Sequence, residues 1–224
     1  VAGSDTSFAP DRVVSTASPE GSTGAMHVYF NRSVNTSVAL DEPALGNEDL
    51  TERLLMRITG AKRSIDATLY NLGGSPGDAI AASLLAARQR GVRVRVICEG
   101  ENRDAQAFQL LAAGGIPVID DRFGPMNEGD ALMHDKFIVI DRSEVWMGSM
   151  NFTDNGAYDD NNNLFRIHST KMAQNYTREF EEMFNDDMFG PNVVAETPFP
   201  DLTIDDTEVK TYFSPDDGVL RSEE

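Results

Sequence analysis

The chain has 224 residues, enough for one domain with a sizeable core, and carries 19 Lys and Arg against 37 Asp and Glu, a net charge of −18. That balance works against non-specific binding to nucleic acid or anionic lipid, and no apolar run reaches the roughly 18 residues that would mark a membrane span. The single cysteine, Cys98 in an apolar run, reads as a buried, inert thiol. The charge is unevenly spread: residues 1–24 hold −2 and residues 186–224 hold −9, which leaves −7 for the mildly acidic middle.

Residues 1–25 are poor in large apolar side chains and rich in turn formers, which predicts disorder. A Ser/Thr/Gly/Pro-rich opening that begins at Val1 suits the segment just after a secretory cleavage site. The expected location is therefore secreted or periplasmic, with the cytoplasm as the alternative. Met26–Phe30 reads as a strand with Met26, Val28 and Phe30 on its apolar side and His27 and Tyr29 facing away, and 31–46 as a loop. Asn47 suits an N-cap for a helix whose Leu50, Leu54, Leu55 and Ile58 share a face and which stops at Gly60. Residues 64–70 form the next expected strand. A Gly73-Gly74 turn then leads into a helix with Ser75 as cap, Pro76 in its first turn and Asp78 completing a capping box, ending at Gly91. The two glycines lack the P-loop pattern. Residues 92–98 read as a β-branched strand with Arg93 and Arg95 as solvated charges. After it come a helix over 104–113, a strand over 116–119 and a Gly/Pro/Asp-rich loop over 120–130.

The next stretch carries the chemistry. Residues 132–141 are apolar on both faces (Phe137 and Val139 against Ile138 and Ile140), the pattern of a central strand. His134 and Lys136 lie two residues apart, so a strand projects them to one side. Six residues after Asp141 comes Gly148-Ser149-x-Asn151. A phosphodiester needs its anionic oxygens neutralised: Lys136 offers a point charge, and Ser149 and Asn151 offer hydrogen bonds to charge that builds up in a transition state. A neutral His134 imidazole can attack phosphorus and split one hard displacement into two. Beyond this lie a strand over 164–168 and a helix capped by Ser169 or Thr170, with Met172, Tyr176, Phe180, Met183 and Phe184 as its buried stripe. Strands alternating with helices give an α/β fold: a mixed, largely parallel central sheet flanked by helices on both faces.

The spacing H-x-K-x4-D-x6-G-S-x-N resembles the signature of the phospholipase D superfamily. The likeness extends over about residues 26–186, through Arg-Gly-Val-Arg-Val at 90–94, Ala-Gly-Gly-Ile-Pro-Val at 113–118 and Arg-Glu-Phe-Glu-Glu-Met-Phe at 178–184. The resemblance implies an α-β-α sandwich in which two H-x-K motifs meet at a pseudo-two-fold axis. One histidine forms a phosphohistidine, the other protonates the leaving oxygen, and no metal or other cofactor is used. It assigns His134, Lys136 and Asp141 to catalysis, with Asp141 behind the other two. Lys136, Ser149 and Asn151 then hold phosphate, and Gly148, Asn162 and Asn163 support the site. Relatives often carry an acid where Asn162 stands, orienting a histidine. This chain has one H-x-K motif, so the second half must come from a homodimer mate or from a C-terminal half of the same protein. The motif Val-Lys-Thr-Tyr-Phe-Ser-Pro at 209–215 echoes Met-His-Val-Tyr-Phe-Asn-Arg at 26–32. Residues 187–208 are thus expected to be an acidic linker, and 209–224 the start of a second repeat that is truncated or supplied separately. The expected activity is a phosphodiesterase acting on a phospholipid, by hydrolysis or transfer. The alternatives are a metal-independent endonuclease acting as a dimer and, in another class, a non-catalytic scaffold half.

Overall fold

The structure, a computed structural model, describes residues 25–39, 44–122, 132–190, 193–194, 196–215 and 217. The expected disordered segment (all but residue 25), most of the 120–130 loop and the end of the proposed repeat lie outside the described residues. Within them run β1 (Met26–Phe30), α1 (Leu50–Gly60), β2 (Ser64–Leu69), α2 (Gly74–Gln89), β3 (Arg93–Cys98), α3 (Gln106–Ala113), β4 (Val118–Asp120), β5 (Lys136–Ile140), β6 (Glu144–Gly148), β7 (Asn163–Ile167) and α4 (Thr170–Asp186). A two-stranded hairpin of β8 (Asp201–Ile204) and β9 (Thr207–Lys210) comes last.

Seven strands form one mixed sheet in the order β1-β7-β6-β5-β2-β3-β4, so β5 is central, as its two apolar faces require. The balance within the sheet differs from expectation. Only β2–β3 and β3–β4 are parallel, and the other four ladders are antiparallel. The reason is connectivity. Helices α2 and α3 return the chain for parallel pairing, whereas no α-helix links β5 to β6 or β6 to β7, and these three strands run as a meander.

Alternation along β5 sorts two cores. Ile138 and Ile140 join Leu54, Ile58, Ile80, Leu84 and Phe108 of α1–α3 on one face. Phe137 and Val139 join Met172, Phe180 and Met183 of α4 on the other, together with Ile204 of the hairpin. Tyr29 departs from its expected exposure: it is buried and stacks on Trp146 at 6.0 Å. Cys98 is a buried free thiol, and burial pushes it up to about 12.

Several local expectations are corrected by competing hydrogen bonds. Asp49, not Asn47, caps α1 by accepting from Glu52 N–H at 2.9 Å, while Asn47 takes a left-handed conformation (φ 57°). Helix α2 begins at Gly74 with Gly73 at its cap position, and Ser75 N–H donates to Asp154 at 3.0 Å instead. Ser169 does cap α4, accepting from Met172 N–H. Arg95 is not a solvated charge: it is buried and paired with Asp66 at 2.8 Å and Glu181 at 2.7 Å.

Buried Glu144, at the start of β6, is the most heavily engaged carboxylate on the α1–α3 side. It accepts from Arg57 at 2.8 and 2.7 Å, Trp146 Nε1 at 2.7 Å and Arg166 Nε at 2.9 Å. Burial alone would raise its pKa, and these donors outweigh burial and hold it below the usual carboxylate range. Glu144→Ala leaves Arg166 buried beside a void, so chemical denaturation should show a loss of about 3–5 kcal/mol.

Candidate active site

The signature spacing is the length of a β-hairpin. Strand β5 leaves the site, turns at Asp141 and Arg142, and returns as β6 with Phe137 opposite Met147 and Ile140 opposite Glu144. Both turn residues adopt positive φ (53° and 54°), and Ser143 N–H donates to Ile140 O at 3.1 Å. This is the twist-matched turn that two-strand ribbons favour. The open end of the hairpin therefore sets His134 and Lys136 beside Gly148 and Ser149. On the other side of β5, Lys136 pairs with Leu69 of β2, which brings Tyr70 to the same end of the sheet.

Strand β5 starts only at Lys136, so His134 lies in the lead-in rather than in the ladder as expected. It is held from both ends. Buried Asp121 accepts from Met133 N–H at 2.8 Å and from Gly100 N–H at 2.7 Å, tying the lead-in to the end of β3. Lys136 Nζ donates to His134 O at 2.8 Å. Tyr70 joins the pair, since the His134 ring meets its face edge-on at 4.6 Å and Lys136 Nζ sits 4.7 Å from its centroid. Such a cation–π contact fixes an ammonium without neutralising it. Burial, then the charge of Lys136, pushes the His134 imidazole below its ordinary pKa. Burial likewise lowers Lys136 against the pull of Asp135. Asp135 is raised by burial against the pull of Lys136.

His134, Asp135, Lys136, Gly148, Ser149 and Asn163 open onto one cavity of about 610 Å³. Its far wall is aromatic. Tyr176 of α4 contacts Phe137 at 4.9 Å and Phe213 at 5.0 Å, both edge-on, and Phe213 lies in the segment after β9.

Gly148 is required by space. A side chain there would collide with the Asn163 carbonyl and meet Leu164 Cα at 3.0 Å, so its absence lets β7 close on β6. Ser149 Oγ donates to Asn162 Oδ1 at 2.7 Å and accepts from Asn163 N–H at 3.1 Å. Asn162 thus addresses Ser149. Its own Nδ2 donates to Gly156 O at 2.8 Å in a π-helical turn over Asn155–Asp159, a feature common at functional sites. Asn151 does not line the cavity, and its buried Oδ1 has no hydrogen-bond partner among the described residues.

Asp141 stands apart from this cavity, at the other end of β5, so the expected catalytic placement does not hold. Its carboxylate accepts from the backbone N–H groups of Lys62 (2.9 Å), Arg63 (2.6 Å) and Ser64 (3.0 Å), closing the α1–β2 turn. The Gly73-Gly74 turn also lies outside the cavity, packed on Asp154 and Phe152. Among the described residues, no group of three or more His, Cys, Asp or Glu side chains is arranged to hold a metal ion. No helix among them is long and apolar enough to cross a membrane.

The family described as "Cardiolipin synthase, PLD-like domain" matches residues 54–184, more than half of the chain. The chain belongs to the phospholipase D-like family. It is 31% identical over 136 residues to a mitochondrial cardiolipin hydrolase of Xenopus laevis, covering 60% of each chain. It is 28% identical over 149 residues to a phospholipase D of Rickettsia prowazekii, covering 65% of this chain and 66% of that one. The chain thus spans about three-fifths of the length of the first of these relatives. In fold it is similar to the phospholipase D family member Nuc of Salmonella typhimurium, with a TM-score of 0.55 and 24% identity, over 72% of this chain and 95% of that one.

Tyr70, Asp121, Asp135, Tyr176 and Phe213 were not foreseen at this phospholipase D-like site. Asp135 lies within the motif itself, between His134 and Lys136, whereas spacing carries no sign of the other four, which meet the cavity or the segment holding His134 through strand pairing, a backbone hydrogen bond or helix packing. The one available signal was the position of Tyr70 at the end of a strand beside a Gly-Gly turn.

Asp141 supplies a sign-definite pH prediction. Burial alone would raise its carboxyl, and the N–H groups of Ser64, Lys62 and Arg63 outweigh that and hold it below the ordinary value. Its contribution to stability is full above the unfolded value near ~3.9 and fades as pH falls through the lower folded value. Asp141→Asn should lower the melting temperature at pH 7, with the gap to wild type closing towards pH 2. A gap independent of pH would show that the charge on this carboxylate contributes nothing.

Proposed function

We propose that the chain is the catalytic half of a phosphodiesterase that hydrolyses or transfers a phosphodiester through a covalent phosphohistidine on His134. The supporting observation is that a depressed imidazole and a cation held by one tyrosine face a single cavity beside an oriented hydroxyl. A His134 ring nitrogen attacks phosphorus, the phosphorus–oxygen bond to the leaving group breaks, and a second, protonated histidine gives its proton to that oxygen. Water or an alcohol then attacks the phosphorus, breaking its bond to nitrogen, delivering its proton to the second histidine and restoring His134. Lys136 stabilises the non-bridging oxygens, and the Ser149 hydroxyl joins it when its proton turns from Asn162 Oδ1 to the phosphate. Asp121 and Tyr70 position the lead-in that carries His134. The mechanism requires no metal, and the second histidine belongs to a homodimer mate or a C-terminal half. In the second case, residues 187–208 are the linker and 209–224 begin the second repeat.

A phospholipid is the favoured substrate, since a chain of net charge −18 is a poor non-specific ligand for a nucleic-acid backbone, and the cavity wall is aromatic. His134→Ala should reduce turnover of phosphatidylcholine-type vesicles by at least about 10²-fold with an unchanged melting curve, and chelator should leave the wild-type rate intact. Unchanged turnover in the variant supports a scaffold, chelator sensitivity overturns the metal-free route, and cleavage of single-stranded DNA in preference to vesicles assigns a nuclease. A titration tests the electrostatics separately. Because Lys136 lowers His134, Lys136→Met should move the His134 imidazole titration to higher pH by NMR. A titration that stays in place removes Lys136 from the tuning of the nucleophile.

A further inference from the structure

A second cavity, of about 810 Å³, adjoins the first and shares Asn163 with it. It lies at the same end of the sheet, where β1 finishes opposite the start of β7 with Phe30 paired to Asn163. Among the described residues its lining is unusual for so acidic a chain: Phe30, Ser33, Arg32 and five asparagines, with no carboxylate. Two of the asparagines build the wall. Asn31 Nδ2 donates to Ala157 O at 3.2 Å and Asp160 O at 2.8 Å, and its Oδ1 accepts from Asn162 N–H at 2.8 Å. The Asn162 amide is taken up by Ser149 and Gly156. Arg32 donates to Tyr158 O. The side-chain amides of Asn47, Asn161 and Asn163 have no hydrogen-bond partner among the described residues.

We propose that this pocket is a subsite for an uncharged, hydroxyl-rich substituent of the phosphodiester, such as the polyol headgroup of a lipid. The assignment rests on the reading that a phosphodiester occupies the His134 cavity. Each free carboxamide presents a donor and an acceptor side by side, which matches hydroxyls that both give and accept hydrogen bonds. A quaternary ammonium needs an aromatic cage or a carboxylate, and the described lining offers neither while placing the Arg32 guanidinium on the wall. Asn163 stands at the junction, beside the Ser149 hydroxyl, so a phosphate held by Lys136 and Ser149 directs one substituent into the amide pocket.

The test measures binding with turnover removed. In the His134→Ala chain, glycerophosphoinositol should bind about tenfold more tightly than glycerophosphocholine, the gain from a few additional neutral hydrogen bonds. The side-chain NH₂ resonances of Asn47 and Asn161, which line only the second pocket, should shift only with the former. Adding Asn161→Ala and Asn47→Gly, the latter keeping a residue that tolerates φ 57°, should reduce the preference to less than about threefold. Free inositol should shift the same amides only weakly, because it lacks the phosphodiester that anchors at Lys136. Equal affinity for the two probes overturns the proposal, as does a preference that survives the amide substitutions or an oligoribonucleotide that shifts the amides at lower concentration. The outcome is separable from the catalytic reading. Polyol preference without turnover of any lipid or nucleic acid by the wild-type chain assembled with its second half would sink the phosphodiesterase and keep the subsite, and turnover without preference would do the reverse.

Discussion

The register of β5 against β6 is the constraint on which the site depends. With Phe137 opposite Met147, the imidazole and ammonium at one open end of the hairpin fall beside the hydroxyl at the other. A slip of one residue would turn every side chain of β5 to the opposite face. It would place Phe137 and Val139 against α1–α3 and remove Lys136 from the cavity. Register is fixed from both ends: by the positive-φ turn at Asp141 and Arg142, and by Gly148, whose missing side chain admits β7.

Part of the formal acidity is used internally. Asp66, Asp121, Asp141 and Glu144 each accept two or more hydrogen bonds from arginines, an indole or backbone N–H groups that the fold would otherwise leave unpaired. Two of these act at the ends of β5. Asp121 ties down the segment that enters it, and Asp141 ties down the turn that leaves it. The strand that follows His134 is thus clamped by one carboxylate at each end. Such support on rigid elements keeps a site within the tolerance that catalysis demands.

Beside the cavity, the chain changes its chemistry from charge to amides. Next to Lys136, burial and then the ammonium charge lower the His134 imidazole; beyond Asn163, asparagine amides and Arg32 line the wall. Asn162 has a structural task here, since it orients Ser149 and closes on the π-helical turn. An acid at 162 would put an uncompensated charge against the Gly156 carbonyl, which the amide instead satisfies as a donor.

Local pattern sufficed for the elements whose cause is local. A run apolar on both faces marked β5 as central, helical periodicity marked α1 and α4, and the hydroxyl of Ser169 marked a cap. The H-x-K and G-S-x-N groups were legible because a hairpin of fixed length joins them, so spacing along the chain becomes proximity in space. Only the tertiary structure decided the rest. Asp141 has the same place in the sequence signature whether it works in the cavity or at the far turn, and three backbone N–H groups from β2 and its lead-in settled the matter. Tyr70 met His134 through strand pairing, Phe213 met Tyr176 through helix packing, and Arg95 found Asp66 and Glu181 across two layers. Contacts of that kind leave no periodic trace, because they join segments whose separation along the chain has no bearing on their distance once folded.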